Sequence, residues 1–101
     1  MRTYHNTQLD ALGDPTRRAI LDQLLRKPSS VGRLAEAFPV SRPAISQHLR
    51  ILKEARLVTD RVDGTRRIYA VNPHGFENLR SYFERFWGDA LISFKRKVEE
   101  K

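Results

Sequence analysis

Arg42, Ser46, Gln47, Arg50 and Lys53 recur at spacings that place them along one face of a helix, and each can donate a hydrogen bond. In the major groove of a DNA duplex, Arg pairs with guanine edges and Gln with adenine, so this set could read bases. A solvated amphipathic helix would carry a similar face. The residues that follow favour the first reading. Asp63-Gly64 is a strong hairpin signal, because a type I′ turn needs positive φ at both central positions. With that pair as the loop, Val62 is expected to face Thr65, Arg61 to face Arg66, and Asp60 to face Arg67. Like charges directly opposite one another are destabilising by roughly a few tenths of a kcal/mol. A phosphate or a narrow minor groove between the two arginines would relieve that repulsion.

These side chains need a helix and two strands to hold them. Ser41 is a natural N-cap, and Pro43 is tolerated in a first turn whose N–H groups have no intrahelical partner. Ala44 or Ile45, Leu49, Leu52 and Ala55 form the narrow apolar stripe of a recognition helix over 41–55. Residues 58–62 and 65–71 flank the turn as strands, making 57–71 a basic wing. Upstream, residues 7–12 read as a short helix with Leu9, Ala11 and Leu12 apolar, stopped by Gly13. Asp14 and Pro15 open the next helix as N-cap and first helical residue. Ala19, Ile20, Leu21, Leu24 and Leu25 give it a broad buried face that ends at Pro28. Arg17 and Arg18 fall in its first turn, where the helix dipole disfavours cations, and are expected on solvated surface. Ser29-Ser30 start a short helix through Ala37, with Val31, Leu34, Ala35 and Phe38 turned inward. A short helix, the tight Phe38-Pro39-Val40 connection and a longer helix make a helix-turn-helix, whose second helix enters the groove.

Asn72-Pro73 marks entry to the last helix, over 73–100; its periodic part, 76–99, is about 36 Å long at 1.5 Å per residue. Phe76, Leu79, Phe83, Phe86 and Ala90 repeat at three and four, and Trp87, Leu91, Phe94 and Val98 continue on a shifted stripe widened by Tyr82 and Ile92. A helix apolar around so much of its girth is buried on more than one side. One face is expected on the chain's own core and another on a second subunit, with Leu9, Leu12, Phe83, Phe86, Trp87, Ala90, Leu91 and Phe94 at the interface. An aromatic pocket for an apolar effector is the competing use of the same stripe. A two-fold dimer would set two recognition helices about 34–36 Å apart.

Composition bounds the rest. The 101 residues make one domain with a net charge of +7 and a pI near 10.4, a balance that favours a polyanionic partner. Residues 41–67 hold seven basic side chains against three acidic ones, so more than half of the excess charge lies on the candidate reading element. There is no cysteine, which excludes disulfides, thiolate metal sites and a cysteine nucleophile. No apolar run approaches a membrane span, and the first residues lack a signal-peptide core, so a cytoplasmic location and no membrane partner are expected. Catalysis is not expected: Ser46 and His48 are too close on one helix to build a triad, and the five glycines form no phosphate loop.

The ordered series Asp14-Pro15-Thr16-Arg17-Arg18-Ala19-Ile20-Leu21, Leu34-Ala35, Ser46-Gln47-His48-Leu49, Leu52, Leu57-Val58 and Asp63-Gly64 resembles the ArsR-type (ArsR/SmtB) bacterial repressors over roughly residues 8–98. The resemblance implies a homodimeric winged-helix repressor that binds an operator palindrome in double-stranded DNA and often leaves it when an effector binds. Carried over position by position, it assigns DNA contacts to Ser41, Arg42, Pro43, Ser46, Gln47 and Arg50 on the recognition helix, and to Arg61, Thr65, Arg66 and Arg67 on the wing. Many relatives sense metal through a Cys-x-Cys before the turn; the matching positions here are Ser30 and Gly32. Others carry Asp/His and His/Glu ligands on the last helix, which here has no histidine after His74. The three histidines, His5, His48 and His74, share no local ligand spacing, whereas tetrahedral zinc takes about four ligands; His48 is expected to pack instead.

The expected architecture is thus mainly α with a small β-hairpin: a single winged helix-turn-helix domain over 1–101, ordered α-α-α-α-β-β-α and dimerising through its terminal helices. The expected function is sequence-specific transcriptional regulation in the non-metal-sensing branch, without cofactor, answering if at all to an organic effector or a partner protein. The alternatives are a winged-helix protein–protein interaction module and a non-specific architectural DNA binder. The concentration of positive charge on one element argues against the first of these.

Overall fold

The computed structural model describes the backbone of residues 4–100 and the side chains of residues 7–100. Among the described residues, five helices and three strands follow one another as α1 (Tyr4–Ala11), α2 (Pro15–Arg26), β1 (Ser29–Ser30), α3 (Val31–Ala37), α4 (Arg42–Glu54), β2 (Val58–Asp63), β3 (Arg66–Val71) and α5 (Pro73–Glu99). The expected helices and hairpin are all present. The structure adds β1, two residues that extend the hairpin into a three-stranded antiparallel sheet of order β1-β3-β2.

Local chemistry sets the helix starts. The Asp14 carboxylate accepts the Arg17 N–H at 2.9 Å, the Ser30 hydroxyl accepts that of Arg33 at 3.3 Å, and Ser41 that of Ala44 at 3.3 Å. Asn72 caps α5 through its side-chain oxygen, and α2, α4 and α5 each carry Pro in the first turn. The backbone N–H at Arg17, with the Arg17 charge, holds the Asp14 carboxyl below the usual carboxylate range.

Arg18 is exposed as expected, whereas Arg17 is half-buried. Their guanidinium groups turn back onto the end of α1, where Arg17 donates to the Ala11 carbonyl and Arg18 to the Leu12 carbonyl, each at 2.7 Å. The α2 dipole disfavours a cation there, but the carbonyl end of α1 welcomes one. The two residues therefore fasten one helix to the next.

The core gathers Ala11, Ile20, Leu21, Leu24, Leu34, Ile45, Leu49, Leu52, Ala55, Leu57 and Val58. Leu25 was expected among them, yet it is 68% exposed at the edge of α2. A Schellman motif closes α4: Leu57 N–H bonds Leu52 C=O at 2.9 Å and Arg56 N–H bonds Lys53 C=O at 2.9 Å. Arg56 takes the left-handed position of that motif, with φ of 60°. Its carbonyl accepts the Asn72 side-chain amide at 3.0 Å and lies so close to Gly75 that a β-carbon there would collide with it. Gln8 completes this junction. It is fully buried, and its amide donates to Ala55 C=O at 3.2 Å and Gly75 C=O at 2.9 Å, joining α1 to the end of α4 and the start of α5.

Beyond that junction α5 leaves the domain, and the molecule measures 64 × 28 × 24 Å. Gly75 and Leu79 are buried; Phe83, Phe86, Trp87, Leu91, Ile92, Phe94 and Val98 are all 49–67% exposed. No helix among the described residues is long and apolar enough to cross a membrane.

Candidate nucleic-acid interface

Helix α4 has the two-sided character its sequence requires. Ile45, Leu49 and Leu52 are fully buried, while Ser41, Arg42, Pro43, Ser46, Gln47 and Arg50 are exposed together on the other side. The outer face is partly organised already, since Arg50 donates to the Gln47 side-chain oxygen at 2.8 Å. His48 lies between the faces, half-buried, with Nδ1 3.4 Å from the Arg17 guanidinium and 3.9 Å from an Asp14 carboxylate oxygen. It packs α4 against the first turn of α2.

The wing corrects the expected register. Its loop is Gly64-Thr65, not Asp63-Gly64, and Asp63 pairs with Arg66, Val62 with Arg67, Arg61 with Ile68 and Asp60 with Tyr69. Gly64 has φ of +66° and Thr65 does not share the positive φ, the signs of a type II′ turn with glycine in its first central position. This turn places a carboxylate opposite Arg66 in place of a second arginine. Arg61 and Arg66 therefore share a face as diagonal neighbours and are not directly opposed. The Asp60–Arg67 contact does form, reached diagonally.

Asp60 organises the other face of the wing. One carboxylate oxygen lies 3.0 Å from Lys53 of α4 and the other 2.9 Å from Arg67 of β3. Hydrogen bonding from Lys53, and then from Arg67, holds its carboxyl below the usual range against the opposing effect of burial. The carboxylate thus ties the end of the recognition helix to the wing. Among the described residues, the side chains of Arg42, Arg61 and Arg66 have no hydrogen-bonding or ion-pairing partner. Arg42, Arg66, Arg67 and Thr65 meet Ser30, Gly32, Arg33 and Glu36 around a cleft of about 430 Å³ between α3, the start of α4 and the wing tip. Sequence reasoning missed this cleft and the Lys53 half of the Asp60 tie, because both depend on how the wing folds back beside α4.

The residues expected at a dimer interface fall into two groups. Phe83, Phe86, Trp87, Ala90, Leu91 and Phe94 stand exposed along α5, whereas Leu9 and Leu12 of the α1 region are half-buried in their own domain. A groove of about 570 Å³, lined by Leu25, Val71, Pro73, Phe76, Leu79 and Phe83, runs up to the stripe. Among the described residues, no three or more His, Cys, Asp or Glu side chains gather closely enough to hold a metal ion; the His5 side chain lies outside the described residues.

A mainly helical domain with a capped recognition helix, a basic hairpin beside it and an outward polar face is a winged helix-turn-helix regulator. Residues 14–60 match the family model described as bacterial regulatory protein, arsR family. The chain is 48% identical to the HTH-type transcriptional regulator Rv2034 of Mycobacterium tuberculosis, across 100% of this chain and 96% of that protein. It is 43% identical to the transcriptional repressor SdpR of Bacillus subtilis, over 66% of this chain and 74% of that one. Among solved structures it resembles the homodimeric winged helix-turn-helix DNA-binding domain of Mb0332 from Mycobacterium bovis, with 26% identity, a TM-score of 0.67 and coverage of 92% of this chain and 83% of that one. The protein belongs to the ArsR family of bacterial regulatory proteins. It is a transcriptional regulator, not an enzyme.

Proposed function

We propose that this protein is a homodimeric repressor that binds a pseudo-palindromic operator in double-stranded DNA and does so without a metal-sensing site. The observation that carries the reading is the exposed face of α4 lying beside a wing whose Arg61 and Arg66 side chains have no partner among the described residues. Unneutralised guanidinium groups beside a polar helix face suit a polyanion with readable edges. Arg42, Ser46, Gln47 and Arg50 would read bases; Ser41, Pro43 and Thr65 would border the groove; Arg61, Arg66 and Arg67 would hold the backbone.

Two further features support the finer parts. The aromatic stripe of α5 has no cover among the described residues, and the similar Mb0332 domain is homodimeric. SdpR is a repressor, which favours repression over activation. Where the resemblance places a metal-sensing Cys-x-Cys, Ser30 uses its hydroxyl to cap α3 and Gly32 has no side chain.

Selection of bound sequences from a random duplex pool at near-physiological salt, with the mass of the complex, tests the reading. An inverted repeat held by two chains is the expected product. In that setting Gln47→Ala should cost about 1–3 kcal/mol at one base position of each half-site and leave the others unchanged. Salt-sensitive retention without a consensus would replace the repressor with an architectural binder, and no retention would favour a protein partner. Release from the operator by a stoichiometric metal would refute the non-metal-sensing assignment.

A further inference from the structure

Gly32 is the second residue of α3, and the space where its side chain would stand is taken by another residue. The Arg42 guanidinium lies flat over it: a β-carbon at position 32 would be 3.0 Å from Nη2, 3.3 Å from Cζ and 3.5 Å from Nη1. Arg42 is the first residue of α4, yet its side chain runs back onto α3 and into the cleft bounded by Arg33, Thr65, Arg66 and Arg67. Four arginines therefore line one cleft, with Glu36 as the single carboxylate among its lining residues. Arg67 is already tied to Asp60, but Arg42 and Arg66 are not committed to any partner among the described residues.

We infer that Gly32 is a positioning residue: it lets Arg42 lie across this cleft as a clamp for a DNA backbone phosphate, shared with Arg66 of the wing. A guanidinium group binds phosphate oxygens through paired N–H donors, and arginines that outnumber the carboxylates around a cleft repel one another less once an anion enters. The placement also divides labour on α4. Arg42 becomes an anchor that fixes the register of the helix on the duplex, and base reading falls to Ser46, Gln47 and Arg50 one turn further on. This assignment rests on the operator-binding reading above and corrects one of its parts, since the sequence alone would let Arg42 read guanine.

Glycine in a helix is less favourable than alanine, and the atoms that a methyl group at position 32 would crowd are the far end of a flexible side chain. Gly32→Ala should therefore unfold at or above the parent's midpoint while displacing the guanidinium. Binding is measured for the parent, Gly32→Ala, Arg42→Ala and the double variant on the selected inverted-repeat duplex and on single-base derivatives of it. Arg42→Ala should weaken all duplexes alike, by about tenfold, and flatten the log–log salt slope by about 0.9 per subunit. Gly32→Ala should weaken them about threefold, again without base preference, and should have no further effect in the Arg42→Ala background. Parent-like binding by Gly32→Ala, an undiminished Gly32→Ala effect in that background, or a loss for Arg42→Ala confined to one base position would overturn the assignment and leave the operator reading standing. Failure of the parent to retain any duplex would overturn both.

Discussion

Both ends of α5 carry large apolar side chains, and the two sets have opposite fates. At the start of the helix, Gly75 and Leu79 are buried, Phe76 packs against the core, and the Gln8 amide is bonded to the Gly75 carbonyl. From Phe83 onward, Phe86, Trp87, Leu91 and Phe94 are about half to two-thirds exposed. Apolarity alone does not distinguish the two ends. What does is the approach of other residues: the Gln8 amide of α1 and the Arg56 carbonyl beyond α4 meet Gly75 in the first turn, whereas from Phe83 onward the apolar side chains stay exposed. An exposed apolar patch of this extent marks an association surface. The first end therefore belongs to the fold of one chain, and the second is the surface that the proposed dimer would use.

Substitutions at the two ends should separate folding from association. The largest effect is expected at Gly75→Ala, where the new β-carbon collides with the Arg56 backbone carbonyl, which no side-chain rotation can move. A loss of more than about 3 kcal/mol in urea unfolding is the expected result, beyond the usual range for overpacking. A fully stable Gly75→Ala protein would show that the helix start is not held as tightly as the contacts require. Next comes Trp87→Ala, which should leave the unfolding of the isolated domain nearly intact and weaken self-association by about 2 kcal/mol or more, roughly thirtyfold in dissociation constant. Sedimentation over a concentration series reads this directly, and an unchanged constant would remove Trp87 from the interface.

The smallest effect serves as a control that touches neither end. Asp60→Asn breaks the tie between Lys53 and Arg67, both of which are about half exposed, so solvent screening keeps the loss of stability under about 1 kcal/mol. Self-association should not change. The acid limb of stability should change, with a definite sign. The folded Asp60 carboxyl titrates below the ordinary 3.8, so its contribution is complete above that value and fades as pH falls through the lower folded one. Asp60→Asn should remove that part of the acid dependence, and an identical acid unfolding curve would deny the tie any energetic role.

Much of the architecture was legible because its signals are local. Asp14-Pro15, Ser41 with Pro43, and Asn72-Pro73 each announce a helix within three residues, and the structure starts α2, α4 and α5 there. The wing was legible in kind but not in register. Asp63-Gly64 and Gly64-Thr65 are both plausible loops, and the choice depends on which turn lets a glycine alone carry positive φ. β1 is too short to leave a pattern of alternation. The contacts that organise the candidate interface bridge distant positions: Gln8 meets carbonyls 47 and 67 residues away, and Gly32 meets Arg42 across a turn. The contacts of Arg17 and Arg18 with the end of α1 went unread for a related reason, because the neighbouring helix end offsets the unfavourable dipole of their own.

The Arg56 carbonyl lies against Gly75 with no room for an atom between them, and Asn72 is bonded to the same oxygen. The last residues of the recognition helix and the first of α5 are thus geared together and cannot rotate independently. In the proposed dimer, the angle at which two α5 helices cross would be transmitted through this joint to both recognition helices. The distance between half-sites that the protein can span would then be chosen far from the DNA, by how two aromatic stripes settle against each other.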